Sequence, residues 1–342
     1  MKRRAPRIAI ALVLAGVLVY LFVRSADWTA VWASLTDVRW PLFALFVLLA
    51  SLGYVTRSLR WRYLLVHEKK GIRFSNMVAA NIVGFTANAV LPGRVGELVK
   101  PLDLARRERI RAGFAVGTVI VERVFDILTM CTLLGLFLLA RPGLPGLANI
   151  GEEHFRNLTF WGGLALAFAL CLVAVILVLY FLRDRAVRVI ASLLKPVSGR
   201  LSLKASEVSR EFIDGLKFFH SLGNLGMYLL FSLLVWLGFL FFYWILFLAY
   251  GVRPAFFLMI PYVFLSGVGA AIPTPGMVGG FHYFSRLGMT AFLGLEASRA
   301  VAITLVAHAV QIGVTCLLGY AILAKEGLSL LEIRRIGEQE QR

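Results

Sequence analysis

The chain has 342 residues, 59% of them hydrophobic and 16% charged, with a mean hydropathy of +0.80. Soluble proteins carry about 25% charged residues, so the composition excludes a soluble enzyme, a disordered chain and a disulfide-stapled secreted domain. The net charge of +17 would point to nucleic acid in a soluble protein; in a membrane protein the excess of Lys and Arg in cytoplasmic loops accounts for it, and no nucleic-acid partner is expected. The expected class is an all-α polytopic membrane protein.

Residues 1–7 are basic and precede an apolar run at 8–23, the pattern of a signal peptide. Arg24 falls in the Arg24-Ser25-Ala26 stretch where small residues would be needed for cleavage, so the run is read as an uncleaved first span. Further runs of about 20 apolar residues, the length of a membrane-crossing helix, lie at 41–59, 113–140, 158–182, 225–250 and 299–324. Two more, 76–97 and 256–282, are interrupted by Pro and Gly. Such breaks free backbone groups that lipid cannot satisfy, so these segments must pack in protein or line a wet cavity. Six transmembrane helices plus two oppositely oriented re-entrant hairpins are expected.

With a cytoplasmic N-terminus and a first hairpin entering from the cytoplasm, 28 of the 36 Lys and Arg fall inside, seven outside, and Arg123 within a span. Both termini are then cytoplasmic, in a multi-pass protein of the plasma membrane. A single integral domain spans 1–325: a first half 1–182, a cytoplasmic amphipathic connector 183–222 and a second half 223–325. Residues 326–342 form a charged cytoplasmic tail. In the connector, Phe212, Leu216 and Phe219 share one helical face, suited to the inner leaflet.

The two breaks share a signature. Pro92-Gly-Arg-Val-Gly-Glu97 matches Pro275-Gly-Met-Val-Gly-Gly280 at an offset of 183. Pro92, Gly93 and Gly96 mark the first break; Pro273, Pro275, Gly276, Gly279 and Gly280 mark the second. Paired broken helices in inverted repeats place a substrate site between them in secondary transporters.

Ionisable groups inside a membrane face a partner or a wet cavity. Glu122 and Asp126, at i and i+4, share a face, and Arg123 is spaced to pair with Asp126. Around the first break, Arg94 and Lys100 add positive charge beside a helix restart after Gly96, a setting that favours anions. Glu97 is placed to take a proton or to pair with Arg123. His282 follows the second break by two residues, and His308 lies in the middle of the last span near Gln311. Either can titrate near neutral pH or act as a hydrogen-bonded helix contact.

Cys131, Cys171 and Cys316 lie in separate apolar runs and form no CxxC or Cys/His cluster. No catalytic constellation is present in the sequence, and no metal or cofactor is expected.

Taken together, Asn88-Ala-Val-Leu-Pro-Gly-Arg-Val-Gly-Glu97, Glu122-Arg123-x-x-Asp126 and Pro273-Thr-Pro-Gly-Met-Val-Gly-Gly280 resemble the lysylphosphatidylglycerol synthase transmembrane-domain family, also called the flippase-like domain family. Arg60-Trp61-Arg62 is similar too, and the resemblance covers about residues 8–325. It implies a membrane domain that moves lipids or lipid-linked groups between leaflets. In the full-length members this domain precedes an aminoacyl-transferase domain; that domain is not expected here, and a non-enzymatic role is expected over an enzymatic one. The expected function is a flippase-like transporter of a phosphate-bearing lipid. The alternative is a non-transporting membrane partner or enzyme of lipid, glycolipid or hopanoid synthesis. Membrane lipids and lipid-synthesis enzymes are the expected partners.

Overall fold

The computed structural model describes residues 5–24, 26–66, 68–69, 71–91, 93–144, 151–194, 199, 203, 206, 222–328 and 332. Pro92, most of the connector and nearly all of the charged tail lie outside them. The described elements are helical. Helix α1 spans Ala5–Val23, and α2, Trp28–Thr36, follows an Asp27 cap that accepts from the Thr29 N–H. Helix α3 is Trp40–Leu65, with proline in its first turn, where a missing N–H costs nothing. Then come α4 (Phe74–Val90), α5 (Gly96–Glu108), α6 (Ala112–Ala140) and α7 (Glu152–Leu194). The second half holds α8 (Leu222–Ala249), α9 (Met259–Ala271), α10 (Gly280–Phe292) and α11 (Ala297–Glu326).

Among the described residues, five helices are long and apolar enough to cross a membrane, and α1 joined to α2 across an 84° bend supplies a sixth candidate. The six expected spans correspond to α1, α3, α6, α7, α8 and α11. Both interrupted segments are helical hairpins, and each is longer than the sequence suggested. The run 76–97 is only the outgoing leg and tip; α5 is the return leg. The run 256–282 likewise ends as its return leg, α10, begins.

Glycine lets the legs of each hairpin touch through their backbones. A Cβ on Gly96 would lie 1.9 Å from the Gly84 carbonyl oxygen, and one on Gly269 would lie 2.4 Å from that of Gly280. The repeat at offset 183 is also written in the backbone. Gly93 and Arg94 in the first break take φ of 82° and 54°, and their counterparts Gly276 and Met277 take 57° and 62°. All four sit in the left-handed region that non-glycine residues rarely adopt.

The hairpins open toward opposite ends of the bundle. At one end Glu108 binds Lys69 Nζ, Asn76 Nδ2 and the Arg73 N–H, closing the first hairpin against the α3–α4 turn. Arg111 pairs with Glu68 there, and Arg107 with Glu326 at the end of α11. At the other end Arg286 of α10 donates to the last carbonyls of α1, Leu21 and Phe22. Arg299 donates to the Tyr250 carbonyl beyond α8. These arginines satisfy carbonyls that a helix C-terminus leaves unpaired. The tips meet between the two ends. Arg94 Nη1 donates to the Ala271 carbonyl at 3.2 Å, and a Cβ on Gly276 would lie 3.1 Å from the Ala89 carbonyl oxygen. Helix α1 covers the second tip, with the Ala15 carbonyl oxygen 2.7 Å from where a Gly279 Cβ would stand.

The largest apolar cluster joins α3, α8, α9 and α10 through Phe46, Phe242, Phe247, Tyr262 and Phe292, with Phe46 stacked on Phe242 at 4.3 Å. A bundle in lipid is held by such packing more than by water exclusion. One boundary bears on function. Helix α3 runs to Leu65 rather than ending near 59, so Arg57, Arg60 and Arg62 belong to the helix and not to the following loop.

Candidate functional site

Ionisable side chains from α3, α5, α6 and the first hairpin tip converge beside the meeting point of the hairpins. Helix α3 brings Arg60, α5 brings Glu97 and Lys100, and α6 brings Glu122, Arg123 and Asp126. Arg123 lies eleven residues into α6, or ~16 Å along its axis at 1.5 Å per residue. That is about half the hydrocarbon thickness of a bilayer.

The cluster has two parts that differ in tightness. The first is buried. Arg60 donates to Glu122 at 2.6 Å and to Asp126 at 2.5 Å, and Lys100 Nζ lies 2.5 Å from the other oxygen of Glu122. Glu122 is fully buried and thus holds two cations, and Lys100 also sits 4.3 Å from the centre of the Trp61 ring. The Trp61 indole N–H donates to Thr118 at 2.9 Å, fixing the ring.

The second part is open and loose. Arg94 and Arg123 approach the two oxygens of Glu97 at 3.3 and 3.4 Å, and Arg123 is 3.3 Å from Asp126. The side chains of Arg94, Arg123 and Glu97 are 34, 36 and 25% exposed. Arg123 Nε faces Glu97 without hydrogen-bond geometry, and Asn88 Oδ1 is buried nearby with no partner among the described residues. A water-sized cavity of about 10 Å³ lies among Gly84, Phe85, Asn88, Gly96, Glu97, Lys100 and Arg123.

Four cations, Arg60, Arg94, Lys100 and Arg123, face three carboxylates, Glu97, Glu122 and Asp126. Arg57 adds a fifth. Its guanidinium lies between the rings of Phe85 and Phe239, at 4.5 and 4.6 Å, with no carboxylate in ion-pair range among the described residues. The cluster therefore carries excess positive charge at mid-length of the bundle.

The expected pairs Arg123–Asp126 and Glu97–Arg123 are both formed, and Glu122 and Asp126 share a face because both bind Arg60. Lys100, expected beside Arg94, is instead turned inward and committed to Glu122. Arg57 and Arg60 stand near the end of an apolar run, a place that reads as loop charge in the sequence. The similarity of Arg60-Trp61-Arg62 to the family pattern is the signal in the sequence that points to Arg60.

His282 and His308 meet at the second break, apart from this cluster. Their rings are 4.5 Å apart. His282 Nδ1 accepts from the Gly279 N–H at 3.2 Å, and His308 Nε2 donates to the Gly276 carbonyl at 2.9 Å. Both rings thus hold the tip of the second hairpin in shape. Pro275–Met277 form a 3-10 turn at this tip, with Pro273 just before it. Among the described residues, no group of three or more His, Cys, Asp or Glu is placed to hold a metal ion. Cys131, Cys171 and Cys316 are free thiols.

Residues 8–319 match the family described as the lysylphosphatidylglycerol synthase TM region. The chain belongs to that family. It is also similar to glycosyltransferase AglD of Haloferax volcanii, with 29% identity over 142 residues. The match covers 40% of this chain and 22% of AglD, so the chain spans only a minor part of that relative. No solved structure matches it.

Proposed function

We propose that this protein is a membrane lipid transporter that moves a phosphate-bearing lipid, or a lipid-linked head group, between leaflets. The observation that carries the reading is the cation-rich cluster at mid-length, beside the contact of two oppositely directed hairpins. A head group crossing a bilayer needs a polar partner where lipid offers none. Guanidinium groups supply one suited to phosphate. The acyl or prenyl tail stays in lipid while the head group passes the hairpin tips. Membership of the family supports a membrane domain of this kind. The bias of Lys and Arg supports a plasma-membrane orientation with both termini cytoplasmic, in which both hairpins re-enter from opposite sides.

The test is reconstitution. Purified protein in liposomes should expose inner-leaflet, fluorescently labelled phosphatidylglycerol to an external quencher faster than empty liposomes do. Equal rates would reject transport.

The similarity to AglD favours a second reading, a membrane partner or enzyme of glycolipid synthesis. In that case the cluster holds a lipid for chemistry elsewhere. Lipid would then bind without being translocated.

A further inference from the structure

The three carboxylates of the cluster are not equivalent. Glu122 is fully buried and holds Arg60 and Lys100 at 2.6 and 2.5 Å. Asp126 is 14% exposed and bound to Arg60 at 2.5 Å. Glu97 is the most exposed of the three at 25%, and its partners stand off at 3.3 and 3.4 Å. Those partners, Arg94 and Arg123, are themselves about one-third exposed at mid-length of the bundle. Glu97 also lies in the first turn of α5, where the helix dipole favours an anion. Its carboxylate therefore occupies the place an anionic ligand would take: between two guanidinium forks, at a helix N-terminus, beside a polar cavity.

We infer that Glu97 is a built-in stand-in for the ligand's phosphate, and that the phosphate binds by displacing the Glu97 carboxylate from Arg94 and Arg123. The ligand class rests on the proposed transport reading; the exchange itself rests on the geometry. Swapping one anion for another leaves neither guanidinium unpaired in the empty or the loaded state, which avoids the cost of an uncompensated charge in a poorly solvated place. It also weakens net binding, because the ligand must compete with a tethered carboxylate. A carrier gains from that, since a head group held too firmly would not leave. Arg123 Nε, which has no hydrogen bond while Glu97 occupies the site, gains an acceptor when a phosphate oxygen replaces it.

The inference makes an inverted prediction: removing a charged residue from the site strengthens binding. Native mass spectrometry of the full chain, with added phosphatidylglycerol, diacylglycerol or inorganic phosphate, reads it. Glu97→Gln should retain phosphatidylglycerol about three- to fivefold better than wild type, the scale of a partly exposed ion pair, with no gain for diacylglycerol. Arg123→Lys or Arg94→Lys in the Glu97→Gln background should reverse the gain, because lysine lacks the planar fork. A gain for inorganic phosphate without phosphatidylglycerol would support the exchange but assign it to a free anion. Unchanged or weaker retention of both phosphatidylglycerol and inorganic phosphate in Glu97→Gln, at a wild-type unfolding midpoint, would overturn the inference, as would an equal gain for diacylglycerol. If Glu97→Gln folds poorly, Glu97→Asp serves: its shorter side chain should not bridge both arginines and should give a smaller gain of the same sign, while no gain there overturns the inference too. The binding readout is independent of translocation. A binding gain with no liposome transport would end the transport reading and leave the exchange standing; transport with no gain would do the reverse.

Discussion

The Arg94 guanidinium donates to the carbonyl of Ala271 at 3.2 Å, and this bond ties the tip of the first hairpin to the tip of the second. Ala271 is the last residue of α9, where a carbonyl has no partner within its own helix. Arg94 reaches it from a left-handed backbone conformation, φ 54°, beside Gly93. The same side chain contacts Glu97, so the contact between hairpins and the charged cluster share one residue.

The glycine contacts give the first stability prediction. Gly269→Ala would put a Cβ 2.4 Å from the Gly280 carbonyl oxygen, a clash with backbone that no rotamer relieves. The expected loss is about 1–3 kcal/mol. Gly276→Ala meets a left-handed φ of 57° as well as the Ala89 carbonyl, and the backbone conformation alone costs about 1–2 kcal/mol. Gly238→Ala in α8 has open space around it and should be neutral or stabilising. Thermal unfolding in one detergent ranks the three, and equal midpoints would refute the close approach of the hairpin legs.

Glu122 should be the most sensitive residue of the cluster to truncation. Glu122→Ala leaves Lys100 without its carboxylate and Arg60 with only Asp126. Breaking a buried pair in this way typically costs about 3–5 kcal/mol. Lost folding would imitate lost function, so activity must be compared at equal amounts of folded protein. The loss should exceed that of Glu97→Ala, whose ion pairs are longer and more exposed; the reverse order would contradict the division into a tight and a loose part.

A pH effect follows from Glu108. Burial alone would raise its pKa, but bonds from Lys69, Asn76 and the Arg73 N–H outweigh burial and hold it below the usual 4.5. A carboxylate depressed in the folded state stabilises fully above its ordinary pKa, and that contribution is lost as pH falls through the depressed value. Unfolding midpoints should therefore drop on acidification below pH 4.5, and Glu108→Gln should remove part of that drop. Parallel profiles for the two proteins would show that Glu108 is not a source of it.

Orientation can be tested with cysteines in a background lacking Cys131, Cys171 and Cys316. Glu153→Cys and Lys325→Cys place exposed thiols at opposite ends of the bundle. In intact cells a membrane-impermeant maleimide should label position 153 and spare 325. The opposite pattern would invert the proposed topology.

The spans, the two breaks and the pairing of Arg123 with Asp126 are all properties of neighbouring residues. Apolar run length sets the first, Pro and Gly the second, and a spacing of three along one helix the third, so the sequence alone determined them. The offset of 183 aligned Gly93-Arg94 with Gly276-Met277 in the sequence, but their shared left-handed backbone belongs to the structure. Arg60 was different. Near the end of an apolar run a positive charge reads as a loop residue, and only the packing of α3 against α6 brings it to Glu122 and Asp126. Lys100 was drawn inward by the same carboxylate, which left Arg94 and Arg123 facing Glu97. His282 and His308 are 26 positions apart, and their meeting required α10 to fold back along α11. Local spacing fixes which groups can meet along one helix. Which buried charge is neutralised by which partner depends on how separate helices pack, because a charge in a poorly solvated interior takes whichever opposite charge the packing brings within reach.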